Sequence, residues 1–431
     1  MAITGRTALL AVLGALVVGF VLPSWWGVLA VGAALLVAVA VDVALAASVR
    51  GLEMRRGGDT SVRLGETATV ELVVTNPGSR TLRGVLRDAW PPSAGAVPGR
   101  HPLLVPPGER RRLAVELTPV RRGDRRASRV TVRSLGPLGL AARQGRHDVP
   151  WTVRALPPFT SRKHLPSRLA RLRDLDGRTA TMIRGQGTEF DSLREYVIGD
   201  DVRSIDWRAT ARAADVMVRT WRPERDRHLL LVLDTGRTSA GRIGDAPKLD
   251  TAMDAALLVG ALAARAGDRV DMIAYDRVVR ASVTGVSANE LLPSLVNAMA
   301  PLEPELVETD VHGMVSAVLN RASRRSLVVL FTGLEPAAVE EGLLPGLPSL
   351  ITRHRLLVAS VADPRVAEMA AGRGDSVAVY EAAAAERASA ERRSVAKLLG
   401  RRDVTVVDAP PSELAPAVAD AYIALKAAGL L

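Results

Sequence analysis

Residues 228–238 read HLLLVLDTGRT, an almost unbroken apolar run that ends on Asp234 and enters a Thr-Gly turn. A run this short, bounded by turn residues, is the pattern of a strand buried on both faces. Helical and strand patterns then alternate to the end of the chain. Residues 249–266 are amphipathic with helical period, 269–275 form a second apolar strand, and 278–283 suit a hairpin edge. Helical stretches at 288–299 and 310–320 lead to strands at 327–331, 354–361 and 404–407, with further helices at 379–399 and 412–428. Buried strands alternating with helices predict a mostly parallel, doubly wound, Rossmann-type α/β domain over 228–431. Ligands of such sheets bind beyond the carboxyl ends of the strands, so the loop after Asp234 is the first candidate site.

Immediately upstream, within a segment spanning 156–227, residues 187–212 read GTEFDSLREYVIGDDVRSIDWRATAR. Glu189, Asp191, Asp200, Asp201 and Asp206 are interleaved with Arg194, Arg203 and Arg212, beside Phe190, Tyr196 and Trp207. A linker does not concentrate such side chains. The composition predicts an ordered network of arginine–carboxylate pairs that braces the next domain or presents a docking surface. No serine–base pair or metal spacing accompanies the acids, so no catalytic residue is assigned.

Between 49 and 155 the period changes to two. Ala68, Val70, Leu72 and Val74 fall on one face before a turn at Asn76-Pro77-Gly78, and similar runs recur at 113–117 and 130–132. Several short strands at this spacing predict an antiparallel β-sandwich. Residues 1–48 hold two apolar runs, 7–22 and 27–47, split by Pro23-Ser24-Trp25-Trp26. The second run would span about 31 Å as a helix, enough for a hydrocarbon core, whereas the first reaches about 24 Å. Arg6 precedes the first run and Arg50, Arg55 and Arg56 follow the second, while the turn between them is uncharged. The expectation is a transmembrane helical hairpin in the plasma membrane, crossing twice, with the soluble domains cytoplasmic. Asp42, near the end of the second run, is expected to snorkel to water. A cleaved leader ending near Ala44-Leu45-Ala46 is the rival and is less favoured, because the apolar material is longer than a leader needs.

The chain has no cysteine, which removes disulfides, thiolate metal sites and cysteine nucleophiles. Its net charge of +11 is carried almost wholly by arginine, and a basic stretch lies beyond the apolar runs where anionic headgroups would attract it. Nucleic acid is not expected as a partner.

The 187–212 stretch closely resembles the signature of the bacterial domain of unknown function 58 family. So does the order of the other parts, including an "RRG…GPLGL" passage between Arg121 and Leu140. The resemblance implies a von Willebrand factor A-like domain at 228–431 and a MoxR-type AAA+ ATPase as partner. Domains of that kind hold Mg²⁺ through an Asp-x-Ser-x-Ser loop, a threonine and a later aspartate, all oxygen donors suited to a hard cation. Here Asp234, Thr238 and Thr309 match that pattern, but Gly236 replaces a serine and Gly333 the aspartate. A degenerate site is expected, with no cofactor. The resulting expectation is a noncatalytic membrane-tethered interaction module, an adaptor or assembly factor. A metal-dependent ligand-binding protein centred on Asp234 and, more remotely, a hydrolase using the carboxylates of 189–206 are the alternatives. The client and the oligomeric state are not legible.

Overall fold

The computed structural model describes residues 2–182, 189–198, 200–213, 215–222 and 227–431, with side chains described outside 176–182, 189–192 and 220–222. Two compact units divide at Pro158 and Phe159.

The first unit begins with a short strand, β1 (Ala2–Ile3), and two apolar helices, α1 (Gly5–Phe20) and α2 (Trp25–Leu45). Ser24 caps α2 by accepting from the Gly27 amide at 3.1 Å. With mean hydropathy 2.6 over 18 of its 21 residues, α2 is long and apolar enough to cross a membrane, whereas α1 is apolar but shorter. Phe20, Trp25 and Trp26, around the turn between them, are more than four-fifths exposed.

The strands β2 (Glu53–Gly58), β3 (Ala68–Thr75), β4 (Leu82–Asp88), β5 (Arg100–Val105), β6 (Arg110–Leu117), β7 (Arg129–Leu135) and β8 (Ala141–Asp148) come next. They build two antiparallel sheets, one ordered β1-β8-β7-β4-β5 and one β2-β3-β6 with residues 96–97 at its edge. The alternation read from the sequence places Leu72 and Val74 of one sheet against Leu82, Leu86, Val130 and Val132 of the other. Inner faces are apolar and outer faces polar, the arrangement of a sandwich.

Asp42 does not reach water. It is fully buried, and its carboxylate accepts from the amides of Leu138 (2.7 Å), Leu140 (2.7 Å) and Ala141 (2.9 Å). The first two amides belong to the GPLGL turn between β7 and β8 and the third opens β8, so the turn closes over the last part of α2. Thr4 Oγ1 reinforces the clasp by donating to the carbonyls of Gly139 (2.7 Å) and Leu140 (2.9 Å). Gly136 is required there, because a Cβ would lie 2.2 Å from Asp42 Oδ1.

The second unit opens with α3 (Leu165–Met182), a helix not anticipated from the sequence. A hairpin comes after it, β9 (Glu189–Glu195) paired antiparallel with β10 (Met217–Arg222). Then come β11 (His228–Asp234), α4 (Lys248–Arg265), β12 (Arg269–Tyr275), β13 (Val279–Val283), α5 (Ala288–Met299) and α6 (Val311–Arg321). The unit continues with β14 (Leu327–Phe331), α7 (Leu344–Ile351), β15 (Arg355–Val361), α8 (Ser376–Gly400), β16 (Thr405–Ala409) and α9 (Pro411–Ala427). The sheet runs β13-β12-β11-β14-β15-β16, all parallel except the edge strand β13.

Alternate residues of the central strands serve opposite layers. Leu230, Val232, Val328 and Leu330 pack with Met314, Leu347 and Leu399, from α6, α7 and α8. The other layer is led by α4, apolar nearly all round and buried from Leu249 to Ala264 except at a few positions. A helix that is apolar on every side belongs in an interior.

Candidate functional site

Strand order reverses between β11 and β14, and a cavity of about 620 Å³ opens at their carboxyl ends. Asp234, Arg237, Thr238, Lys248, Thr309, Thr332, Gly333 and Glu335 are among its lining. This is where an open α/β sheet leaves a crevice, because the flanking connections leave toward opposite faces.

Asp234 is 3% exposed and is the centre of the site. Its Oδ1 accepts from the Gly236 amide (2.8 Å) and Thr309 Oγ1 (2.6 Å). Its Oδ2 accepts from Thr238 Oγ1 (2.9 Å) and Thr332 Oγ1 (2.6 Å). Four donors match the roughly four acceptor positions of a carboxylate. Asp234, Thr238 and Thr309 are therefore brought together, joined by Thr332.

Both glycines of the degenerate pattern acquire a physical meaning. A Cβ on Gly236 would stand 2.1 Å from Thr309 Oγ1, so a serine there would push that hydroxyl off Asp234. A Cβ on Gly333 would stand 1.7 Å from Glu335 Oε2, so the carboxylate of Glu335 fills the space an aspartate at 333 would use. Lys248 Nζ approaches Glu335 Oε1 at 3.4 Å, while Glu335 Oε2 is buried without a partner among the described residues. Arg237 turns to the exposed Glu308 at 2.6 Å.

At the next strand end, Asp276 is fully buried and accepts from the amides of Arg277 and Val278 and from Arg280 Nε. Burial opposes its ionisation, but those donors outweigh it and hold the carboxyl below its ordinary value. Thr235 Oγ1 donates to it at 3.2 Å, tying the β11 loop to the β12 loop.

The structure also assembles a serine, a histidine and an aspartate that sequence reading left scattered. His228 Nδ1 lies 2.8 Å from Ser326 Oγ, and Nε2 lies 3.1 Å from Asp271. This trio is at the amino ends of the strands, the opposite end from the crevice. Ser326 is 2% exposed and its hydroxyl donates to the Arg324 carbonyl at 2.9 Å. A nucleophile must reach a substrate in line with its base, and a hydroxyl so buried and engaged is a strand-end brace.

The signature stretch forms a separate feature. Arg194 makes a two-pronged fork with Asp200 at 2.6 and 2.7 Å. Asp206 accepts from the amides of Arg208 and Ala209, capping a short helix, and from Arg219 Nε at 2.7 Å. The Ala209 amide and the Arg219 guanidinium hold its carboxyl below the ordinary range. Asp201 accepts from the Arg203 amide, while the Arg203 and Arg212 side chains are exposed. Among the described residues, the expected charge network takes the form of local clamps that shape one hairpin. Tyr196 is half-buried. The side chains of Glu189, Phe190 and Asp191 lie outside the described residues. Around the clamps, Val197 (61%), Ile198 (96%), Val202 (63%) and Trp207 (68%) are exposed.

The architecture defines a mixed α/β multidomain protein with a β-sheet unit and apolar N-terminal helices. Residues 192–396, a little under half of the chain, match the model of the family described as "Protein of unknown function DUF58", which supports the resemblance carried by the signature stretch. Uncharacterized proteins of Mycobacterium bovis and Mycobacterium tuberculosis are each 27% identical over 198 residues, 45% of this chain and 61% of the relative. The match therefore spans about three-fifths of these relatives' length. Among solved structures, the CARDB domain of a Pyrococcus furiosus protein, in complex with di-metal ions, is 16% identical. It covers 24% of this chain and 91% of that chain with a TM-score of 0.18, too low to carry an argument.

Proposed function

We propose that this protein is a noncatalytic, membrane-tethered interaction module that works with a MoxR-type AAA+ ATPase. The observation that carries the reading is the signature hairpin. Among the described residues, its ion pairs Arg194–Asp200 and Arg219–Asp206 shape the hairpin itself, and Val197, Ile198, Val202 and Trp207 are exposed in one short segment. Exposed apolar residues grouped within polar surroundings mark interaction surfaces, and tryptophan is enriched where partners dock most tightly. The sheet order and its crevice support a von Willebrand A-like identity for the second unit. The two apolar helices and their flanking arginines support a two-pass anchor with cytoplasmic domains. With the ATPase co-expressed, the full chain should recover it in detergent, and Ile198→Ser with Trp207→Ala should reduce recovery at least tenfold with no change in melting temperature. Undiminished recovery by that variant would remove the hairpin from the interface.

The metal-dependent alternative draws on Glu335, whose Oε2, unpartnered among the described residues, supplies a carboxylate oxygen where Gly333 has none. Against a resident Mg²⁺, Asp234 has its acceptor positions filled by three hydroxyls and an amide, and the Lys248 ammonium already faces Glu335. A hard cation needs about six oxygens near 2.1 Å and does not tolerate a neighbouring ammonium well. We infer that hydroxyls and Lys248 do the work a cation does in related crevices. Millimolar Mg²⁺ or Mn²⁺ should move the melting temperature by less than one degree, whereas occupancy at a hundredfold excess would add about 2.7 kcal/mol. A shift of several degrees that disappears in Asp234→Asn would restore the metal reading.

A further inference from the structure

The outer face of the five-stranded sheet in the first unit carries arginines where a sheet ordinarily avoids them. Cross-strand register pairs Arg100 of β5 with Arg87 of β4, Arg87 with Thr131 of β7, and Thr131 with Arg146 of β8. Residues in register share a face, so three guanidinium groups stand in one row across four strands. Arg133, two residues beyond Thr131, adds a fourth and is held to Gln144 Oε1 at 2.9 Å. Like charges directly opposite one another destabilise a sheet. Among the described residues, none of these four arginines makes an ion pair with a carboxylate.

A cavity of about 590 Å³ lies on this face, and one of about 900 Å³ lies beside it, lined also by the strand β6 of the other sheet. Arg87, Arg100, Arg133 and Arg146 line the first, together with residues 2–5. Arg6, Arg83 and Arg111 line the second. No aspartate or glutamate lines either one. Residues 2–5 lead directly into α1, which beyond Thr7 is apolar and largely exposed, and strand β1 joins the same sheet at its β8 edge. The arginine face is thus continuous with the place where the chain enters its apolar helices.

We propose that this face binds the anionic headgroups of phospholipids in the membrane that the helices enter. The proposal rests on the membrane-tether reading. Seven arginines around two open, carboxylate-free cavities supply forked donors that match phosphate oxygens, and Thr4 and Thr131 line the first of them. A lipid phosphate neutralises the row that the sheet leaves repelling. Each basic residue close to an anionic leaflet adds to the attraction, so several together select anionic over zwitterionic lipid strongly.

The test uses the full chain in a mild detergent, with bound lipid counted by native mass spectrometry. Phosphatidylglycerol should bind at least tenfold more tightly than phosphatidylcholine. Arg87→Gln/Arg100→Gln/Arg146→Gln should weaken phosphatidylglycerol binding about a hundredfold. The matching triple lysine variant should keep most of the preference. The glutamine variant should melt no lower than the parent in lipid-free detergent, because its like-charge row is gone; Arg100→Gln alone, on the edge strand, is the milder substitute. Equal binding of the two lipids overturns the proposal. So does displacement of phosphatidylglycerol by millimolar inorganic phosphate, or by an oligonucleotide at equal phosphate. Alkaline carbonate extraction separates the two levels. Release of the chain from membranes sinks the tether and this proposal together, whereas retention without lipid preference sinks this proposal alone.

Discussion

Asp42→Ala should lower the stability of the first unit by about 3–5 kcal/mol, because it strands three backbone donors that otherwise lie against one buried carboxylate. The donors are the amides of Leu138, Leu140 and Ala141, and all three distances are below 3 Å. They cannot turn to other acceptors without unwinding the β7–β8 turn, since Gly136 and Gly139 already shape it through a backbone bond of 3.0 Å. Asp42→Asn should fall between, because its amide nitrogen must face at least one N–H. Gly136→Ala is an independent route to the same loss, as its methyl group would occupy the carboxylate's position. The measurement is the denaturation midpoint of the full chain in detergent, with limited proteolysis reporting on the 136–140 turn. An unchanged midpoint and an uncut turn in Asp42→Ala would mean that the clasp is incidental.

That clasp shows where sequence reading stops. The apolar run around Asp42 was legible, as was the turn signal in GPLGL, because both are local patterns of residue type. Their meeting was not, because nothing in either stretch encodes a partner 96 or more residues away. Snorkelling was the reasonable expectation for an acid near a helix end, and it fails because the protein itself supplies the polar partners that water would otherwise supply. The crevice divides the same way. Asp234, Thr238 and Thr309 could be placed by spacing, and Gly236 and Gly333 could be seen as replacements. What the sequence could not convey is that each glycine makes room for another oxygen, Thr309 Oγ1 in one case and the Glu335 carboxylate in the other. Glu335 stands only two residues beyond Gly333, so a search for a displaced acid near a missing ligand would have found it. Thr332 and the His228–Ser326–Asp271 brace depend on strand register, which alternation alone does not set. The signature's charges were legible as paired, but which residues pair, Arg194 with Asp200 and Arg219 with Asp206 among the described residues, was not, because it depends on the turn of the hairpin.

A large effect is also expected at the far end of the α/β unit, where Asp268 holds the last helix. Asp268 lies just beyond α4, and its carboxylate accepts from Lys426 Nζ at 2.8 and 2.9 Å and from the Tyr422 hydroxyl. The Lys426 and Asp268 side chains are only 7% and 4% exposed. The ammonium also lies 5.7 Å from the centroid of the Tyr422 ring, within the range of a cation–π contact. Lys426 is one of only four lysines in an arginine-rich chain, and a slim ammonium with three donors fits where a planar guanidinium would not turn. Asp268→Ala leaves that ammonium buried and unpaired, which costs about 3–5 kcal/mol. Lys426→Met removes the opposite charge and leaves Asp268 with the Tyr422 hydroxyl, so its loss should be smaller. The double variant Asp268→Ala/Lys426→Met should then be more stable than Asp268→Ala alone, because a methionine of similar length satisfies the apolar surroundings without a charge. Urea denaturation of the four proteins gives the coupling directly. Strict additivity of the two single losses would show that the pair is not coupled, and that α9 is held by Leu414, Val418 and Ile423 alone.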